Sequence, residues 1–273
     1  MRGHAVRILF VWSSAEFSTF DVARGYRNAL ERQGVHDIRD YRLYARMKYH
    51  ADALGEKGWN LDLLTRIASE NIVVEALRHR ADVVFIVSAM ALHPDAVWLL
   101  RRAKVPTVTL FTESPYNDLD QREFHAVYPE MRCIVNERTS ATDGWSYLPH
   151  AYDQIVHQPC ASKEAPCDVL LIGTLWRERI EFLEQVDWTG IRVKLIGTWI
   201  APPFPADTAI GQYFEEGCVR NTEAPGYYGA AKICLNIYRA QPSAESLNPR
   251  AYELAACGAF QLSDHRNEIS DVF

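Results

Sequence analysis

The amino-acid sequence predicts an α/β protein with two mostly parallel sheets. Short apolar runs of strand length alternate with segments of helical periodicity. This alternation stops in a polar, turn-rich segment at 150–166 and then restarts. The length of 273 residues suits about two domains at roughly 150 residues each. We therefore expect one α/β unit on either side of that segment, with domains at 1–152 and 153–273.

Continuous apolar runs in the first half predict strands that are buried on both faces, as in a parallel sheet. Asp21 is placed to cap a helix that Gly34 ends, and Pro94 stands early in another helix, where its missing N–H costs nothing. The predicted strands are 6–12, 81–89, 105–113 and 133–137, and the predicted helices are 21–33, 60–79 and 93–104.

The second half repeats the pattern after the turn-rich segment. A Pro-rich loop interrupts it at 199–211. The predicted strands are 168–173, 191–197, 233–238 and 259–264, and the predicted helices are 177–186, 225–232, 248–258 and one that begins at 267.

Charge and cysteine usage narrow the class of protein. The formal charge is 29 − 35 = −6, which disfavours a generally cationic nucleic-acid surface. No apolar run approaches the roughly 20 residues of a membrane span, and the run Ile8–Trp12 is too short for a signal peptide. None of the six cysteines forms a CxxC pair, which argues against structural zinc. We expect reduced, structural thiols in a cytoplasmic protein.

Ligands of doubly wound sheets bind at the carboxyl ends of the strands. Polar residues and glycines follow most of the predicted strands here, although such residues also serve simply as turn formers. They are Ser13, Ser14, Glu16, Glu113, Ser114, Tyr116, Asn136, Glu137, Gly173, Thr174, Gly197, Trp199, Asn236, Tyr238, Ser263 and Asp264.

The helix that begins after Asn248 has two interpretations. Asn248 is a capping residue, and Pro249 and Arg250 fall in the first turn, where free N–H groups and the helix dipole suit a phosphate. Arg250 adds a planar cation. Glu253 shares a face with Arg250, so an ordinary Arg–Glu pair is the alternative. Residue chemistry alone leaves both open.

A family resemblance enters at this helix. Glu245 and Glu253 are separated by seven residues and precede the small-residue run 255–258. The stretch 245–273 resembles the C-terminal signature of CgeB-like (spore-maturation-protein) glycosyltransferases, members of the group-1 glycosyltransferases with GT-B architecture. Further pieces agree in order: YLPHAYD at 147–153, LLIGTLWRERIEFL at 170–183, KLIGTW at 194–199 and AAKICLNIY at 230–238.

The resemblance implies two Rossmann-like domains that face a cleft. Domain 1–152 would bind the acceptor, and domain 153–273 would bind a UDP- or GDP-sugar donor. The implied reaction moves the sugar to an acceptor hydroxyl with retention of configuration and without a metal or other cofactor. The second domain ends earlier than in relatives, which suggests truncation at its C-terminus.

The resemblance also assigns roles to residues. Glu253 would bind the ribose hydroxyls, Glu245 would lie near the donor sugar, and backbone amides of 246–248 would hold the diphosphate. Arg177 or Arg179 would supply a cation. Thr174 stands where the wider family often has arginine, so Arg250 would contribute more to binding the donor phosphates. The expected donor-binding set is Gly173, Thr174, Arg177, Arg179, Gly197, Trp199, Asn236, Ser246, Leu247, Asn248, Arg250 and Glu253.

The expected catalytic set is His150, Glu245, Arg250 and Glu113. His150 would donate a hydrogen bond to a phosphate of the nucleotide sugar or to the acceptor. The alternative is that it only holds the hinge between the domains in place. Glu113 and Glu16 are candidates for acceptor binding or base chemistry, and the expected acceptor-binding residues are Ser13, Ser14 and Glu16. The sequence D-x-D at 118–120 lies in a first-domain loop, so we expect no metal site there.

Two other functions stay open. One is a nucleotide-binding protein without transferase activity. The other is a phage-type enzyme that glycosylates a modified base in DNA, because the stretch 39–50 interleaves Arg and Lys with Tyr. Such a stretch is more often a solvated helix face. The acceptor is therefore a small molecule, a glycan or modified DNA.

Overall fold

The computed structural model describes residues 6–13, 18–55, 58–142, 144–162, 164–241 and 243–273. These residues form two compact units, Met1–Pro149 and His150–Phe273. The division falls after residue 149, where the sequence suggested a boundary after residue 152. Each unit has its own parallel sheet and its own buried core.

Unit 1 contains a six-stranded parallel sheet in the order β2-β1-β3-β4-β5-β6. Its strands are β1 (Arg7–Trp12), β2 (Asp37–Arg42), β3 (Val83–Val87), β4 (Thr107–Phe111), β5 (Arg132–Val135) and β6 (Ser146–Tyr147). Its helices are α1 (Ser18–Arg32), α2 (Leu43–Leu54), α3 (Leu61–His79), α4 (Pro94–Arg102) and α5 (Asp118–Val127).

The sequence prediction missed β2, which occupies an edge of this sheet. The stretch 39–50 was expected to be one solvated helix face, but it is strand up to Arg42 and helix α2 from Leu43. Among the six residues of β2 only Tyr41 is buried. An edge strand with so little buried surface has no apolar run for a sequence pattern to detect.

Unit 2 contains a five-stranded parallel sheet in the order β11-β10-β7-β8-β9. Its strands are β7 (Cys167–Ile172), β8 (Val193–Gly197), β9 (Phe214–Glu216), β10 (Ala231–Asn236) and β11 (Gln261–Ser263). Its helices are α6 (Arg177–Leu183), α7 (Ala224–Ala230), α8 (Pro249–Ala256) and α9 (Ile269–Val272). The polar edge strand β9 was missed for the same reason as β2.

The central strands are buried on both faces, as their apolar runs predicted. In β1, Leu9, Phe10 and Val11 are fully buried. In β7, Leu170 and Leu171 are each only 1% exposed. All six cysteines are free thiols. Within the described ranges, every helix is too short or too polar to cross a membrane.

Candidate functional site

Two glycines bring the carboxyl ends of β7 and β8 into close contact. The N–H of Gly173 donates to the carbonyl of Ile196 at 2.8 Å. A β-carbon on Gly197 would stand 1.9 Å from the carbonyl oxygen of Gly173, which no side chain tolerates. Gly173 itself has φ +139°, a conformation that residues with a side chain rarely adopt. The sequence fits this junction only because both positions are glycine.

Two guanidinium groups converge on Gly173. The Nη1 atoms of Arg250 and Arg179 lie 3.0 and 3.4 Å from the point where a β-carbon on Gly173 would stand. Arg250 comes from the first turn of α8, and Arg179 comes from α6. Arg179 Nη1 also donates to the carbonyl of Thr174 at 2.7 Å, which orients its side chain along the loop after β7. The structure thus brings together two cations that the sequence assigned to the donor phosphates.

Arg250 does not form the Arg–Glu pair that was the alternative interpretation. Within the described part of the chain its guanidinium has no carboxylate partner, and its buried Nε has no hydrogen-bond acceptor. It interacts instead with the hydroxyl of Tyr228, and burial raises the pKa of that phenol to about 12. Because Tyr228 stays protonated near neutral pH, the charge of Arg250 is not neutralised. Such a cation is suited to an anionic ligand.

The loop before α8 is held by a pair of asparagine amides. The Asn248 side chain accepts from the N–H of Ala251 at 3.1 Å and so caps α8. Its Nδ2 donates to Asn236 Oδ1 at 2.8 Å, and Asn236 Nδ2 donates back to Asn248 Oδ1 at 3.1 Å. Asn236 ends β10 and is buried. This pair fixes the start of α8, and with it Arg250, to the end of β10.

A carboxylate that the sequence did not single out supports the same loop. Glu268 is buried, and its Oε2 accepts from the N–H of Leu247 at 2.6 Å. The N–H of Glu268 donates to the carbonyl of Glu245 at 3.2 Å. The Leu247 amide, expected to help hold a diphosphate, therefore binds a carboxylate of the protein itself. Ser246 beside it is also buried.

Glu253 lies one turn after Arg250 on α8, with a side chain that is 15% exposed. No described residue donates a hydrogen bond to its carboxylate, so its oxygens are available to a ligand. The imidazole of His157 lies beside Glu253, with its Nε2 3.9 Å from Glu253 Oε1. Sequence reasoning missed His157, which stands in the turn-rich segment and matches no motif.

Three other expected donor residues occupy different positions in unit 2. Trp199 donates its indole N–H to the carbonyls of Ala201 and Pro203, both at 2.8 Å, and packs edge-on against Phe214. Arg177 is exposed at the first residue of α6. Glu245 is half-buried in the loop before α8.

His150 is the first residue of unit 2 and is half-buried. Desolvation lowers the pKa of His150 to about 4. Its imidazole is therefore neutral at pH 7, and a neutral imidazole offers one hydrogen-bond donor and one acceptor.

In unit 1, the expected acceptor residues divide into two groups. Ser14 and Glu16 lie outside the described residues. Ser13 is fully buried, and its hydroxyl donates to the carbonyl of Val87 at 2.5 Å, so it joins the ends of β1 and β3.

Glu113 lines a cavity of about 180 Å³ at the carboxyl ends of β3 and β4. No described cation pairs with Glu113 or with the second carboxylate of this cavity, Asp120. The polar lining residues are Ser88, Thr112, Glu113, Asn117, Asp120 and Gln121. The cavity is therefore acidic and rich in hydrogen-bonding groups.

The D-x-D aspartates do not form a cluster of metal ligands. Asp118 accepts a hydrogen bond from the Ser140 hydroxyl at 2.6 Å. Across the described ranges, no group of three or more His, Cys, Asp or Glu side chains is arranged to hold a metal ion.

Comparison with known proteins gives a family for part of the chain and a fold for the whole. Residues 177–273 match the family model described as glycosyl transferase-like. No curated protein matches the sequence. A sucrose-phosphate synthase from Thermosynechococcus elongatus is similar in structure, with a TM-score of 0.64 at 13% identity over 97% of this chain and 83% of that one.

Two further structures share this fold. An α-glucosyltransferase in complex with UDP and a 13-mer DNA has a TM-score of 0.64 at 12% identity, over 95% of this chain and 80% of that one. A trehalose-phosphate synthase from Burkholderia vietnamiensis has a TM-score of 0.56 at 10% identity, over 100% of this chain and 87% of that one. The two parallel sheets are thus those of the GT-B fold. Residues 177–273 are therefore similar to a glycosyl transferase-like domain, and the likeness of the whole chain to these structures lies in the GT-B fold.

Proposed function

We propose that the protein transfers a sugar from a nucleotide diphosphate sugar to an acceptor hydroxyl, with the donor bound in unit 2. The observation that carries this proposal is the convergence of Arg250 and Arg179 on Gly173, with Arg250 lacking a carboxylate partner. UDP is the favoured nucleotide, because two similar structures are complexes of an α-glucosyltransferase with UDP or UDP-glucose. The ordered motifs support placement in the CgeB-like branch.

The chemistry rests on stabilisation of a departing nucleoside diphosphate. Negative charge grows on that leaving group as the bond to the sugar breaks, and preorganised cations stabilise the growing charge. Arg250, Arg179 and the N-terminus of α8 supply positive potential in unit 2. With two arginines in this role, the reaction proceeds without a metal in our proposal. Retention of configuration follows the group-1 resemblance.

The remaining donor and catalytic roles follow from the sequence assignments. Glu253 accepts hydrogen bonds from the ribose hydroxyls, and its carboxylate has no competing donor among the described residues. Glu245 lies near the donor sugar, and Ser246 and Asn248 lie along the diphosphate. His150 is neutral at pH 7 and donates to a donor phosphate or to the acceptor. A reducing cytoplasmic location suits the six free thiols.

The acceptor binds in unit 1, in the cavity beside Glu113. This cavity contains carboxylates, hydroxyls and amides but no cationic lining side chain. It therefore suits a hydroxyl-bearing acceptor that is neutral or positively charged, and it disfavours an anionic one. Glu113 either binds the acceptor hydroxyl or removes its proton.

Two measurements test this function. Isothermal titration calorimetry measures the affinity for UDP and GDP, and a second assay measures nucleoside diphosphate release from a panel of nucleotide sugars. Charge-assisted hydrogen bonds contribute roughly 1.5–3 kcal/mol, so Glu253→Ala should weaken nucleotide binding on the order of 10- to 100-fold. The control is Glu181→Ala, which changes an exposed carboxylate on α6. Unchanged affinity in Glu253→Ala would refute the ribose assignment. Nucleotide binding without release from any donor would favour the non-catalytic alternative.

A DNA acceptor is the second candidate function, and the surface of α2 favours it. Tyr44 and Tyr49 are 54% and 64% exposed, and Arg46 and Lys48 are exposed beside them. Exposed aromatic and basic side chains bind bases and phosphates together. One similar structure is a complex with DNA. A gel shift with duplex DNA that weakens steeply with salt would support this candidate, and no shift at low salt would exclude it.

A further inference from the structure

His157 is a buried histidine whose tautomer is set by the backbone. It closes the turn that begins at Asp153, where its own N–H donates to the Asp153 carbonyl at 2.8 Å. The N–H of Asp153 donates to His157 Nδ1 at 3.0 Å. Because Nδ1 accepts a hydrogen bond, the proton of the neutral ring resides on Nε2. The ring is 2% exposed, so the turn holds it in one orientation.

The protonated edge of His157 faces two side-chain oxygens. Nε2 donates to Asn221 Oδ1 at 2.9 Å. Glu253 Oε1 lies 3.9 Å from the same nitrogen. The dipole of the Nε2–H bond therefore attracts the Glu253 carboxylate without forming a full hydrogen bond to it. Both carboxylate oxygens keep their capacity to accept hydrogen bonds from a ligand.

We propose that His157 positions Glu253 and thereby sets the selectivity of the site for ribonucleotides over 2′-deoxyribonucleotides. This inference rests on the proposed donor role of unit 2. A carboxylate accepts two hydroxyl donors at once, and the 2′- and 3′-hydroxyls of ribose present two donors side by side. A 2′-deoxyribose presents one. A carboxylate held in one orientation distinguishes the two sugars, whereas a freely rotating carboxylate loses part of that distinction.

The test is the ratio of the dissociation constant for 2′-deoxy-UDP to that for UDP, measured by calorimetry on the full chain. The wild type should bind UDP about tenfold or more tightly than 2′-deoxy-UDP, because one hydrogen bond to a charged group contributes that much to the affinity. His157→Phe keeps a ring of similar size and removes the Nε2–H donor. It should reduce the ratio at least threefold, toward the value for Glu253→Ala. A role in packing alone would weaken both ligands equally and leave the ratio unchanged.

Two further variants keep the test valid if His157→Phe does not fold. His157→Gln retains a side-chain N–H and should restore part of the ratio. Asn221→Leu removes the acceptor of Nε2–H without altering His157, and it should also shift the ratio. In the double variant His157→Phe/Glu253→Ala, the loss of His157 should produce no further change in the ratio.

The outcomes separate the two levels of the proposal. If the wild type binds neither UDP nor GDP, the proposed function is wrong. If it binds GDP alone, the same ratio is measured with 2′-deoxy-GDP. If Glu253→Ala abolishes the ribose preference while the His157 and Asn221 variants retain the wild-type ratio, the positioning role is wrong and the donor site stands. A wild type without any ribose preference also overturns the inference.

Discussion

The Nη1 of Arg250 lies 3.0 Å from the point where a β-carbon on Gly173 would stand. This distance links the end of the first strand of unit 2 to the first turn of α8. It leaves space for a guanidinium beside a bare backbone, but crowds any side chain on residue 173. The proposed donor site therefore depends on a glycine as much as on the arginine.

Substitution of the two glycines should have different consequences. Gly173→Ala should weaken UDP binding about tenfold or more, because its β-carbon crowds Arg250. It should also lower the free energy of unfolding by about 1–3 kcal/mol, because φ +139° strains any residue with a side chain. Gly197→Ala should lower stability more, since its β-carbon meets the backbone of residue 173 at 1.9 Å.

Gly25 provides the matched control for these substitutions. It lies within α1, and a β-carbon there meets no atom within 4 Å. Gly25→Ala should raise the free energy of unfolding by roughly 0.5–1 kcal/mol through helix propensity. Urea unfolding and calorimetry measure all three variants. A stable Gly173→Ala that binds UDP as the wild type does would contradict the site.

The structure distinguishes between the two arginines that the sequence left open on α6. Arg179 lies at Gly173, whereas Arg177 is exposed at the start of the helix. Arg179→Met should therefore weaken UDP affinity and reduce the turnover rate, the latter by about 10²-fold, as is typical when one preorganised donor is removed. Arg177→Met should change both by less than threefold. Steady-state kinetics with the accepted donor decides this, and equal effects of the two variants would remove the basis for the assignment.

Thiol reactivity should follow burial. Burial raises the pKa of Cys133 and Cys234 to about 12 and that of Cys257 to about 11, so these thiols stay protonated and inert at pH 8. Cys160 and Cys218 are exposed. Iodoacetamide at pH 8 should modify the exposed pair at least 100-fold faster, as mass spectrometry of the labelled peptides will measure. Early labelling of Cys133 would show that its strand opens far more readily than the fold implies.

Local chemistry explains which parts of the site the sequence predicts. Three consecutive residues, Asn248, Pro249 and Arg250, are enough to predict the start of a helix. In the structure α8 begins there, with Asn248 as its cap. Gly173 and Gly197 each follow an apolar run at the end of a strand. Their role at these strand ends comes from the backbone geometry alone. These predictions depend on residues that are neighbours in the sequence or occupy equivalent ends of parallel strands.

The missed residues depend on contacts between distant segments. His157 meets Asn221 across 64 residues, and Glu268 reaches the Leu247 amide across 21. Neither contact follows a periodicity, since each arises from how a loop packs against the finished sheet. The edge strand β2 was missed for a related reason, because its pairing with β1 comes from backbone hydrogen bonds and not from an apolar run.

Asp168 should make the stability of unit 2 depend on pH. Arg192 donates to its carboxylate from Nε and from its backbone N–H, both at 3.0 Å, and Lys232 Nζ lies 2.7 Å away. These partners, Arg192 foremost, hold the pKa of Asp168 well below its usual range. In the unfolded chain the carboxyl returns to a pKa of about 3.9. The contribution is therefore complete above that value and is lost as the pH falls toward the folded pKa.

Asp168→Asn should accordingly lower the Tm at pH 7, and the difference from the wild type should shrink as the pH falls from 4 to 2. The control is Asp207→Asn, which changes an exposed aspartate of the same unit without a described side-chain partner. Calorimetric melting of the three proteins at pH 7, 5, 4, 3 and 2 measures the effect. Added salt should also reduce the difference at pH 7, because these charges are close to solvent. A Tm difference that is constant across this pH range would mean that Asp168 stabilises β7 through hydrogen-bond geometry and not through its charge.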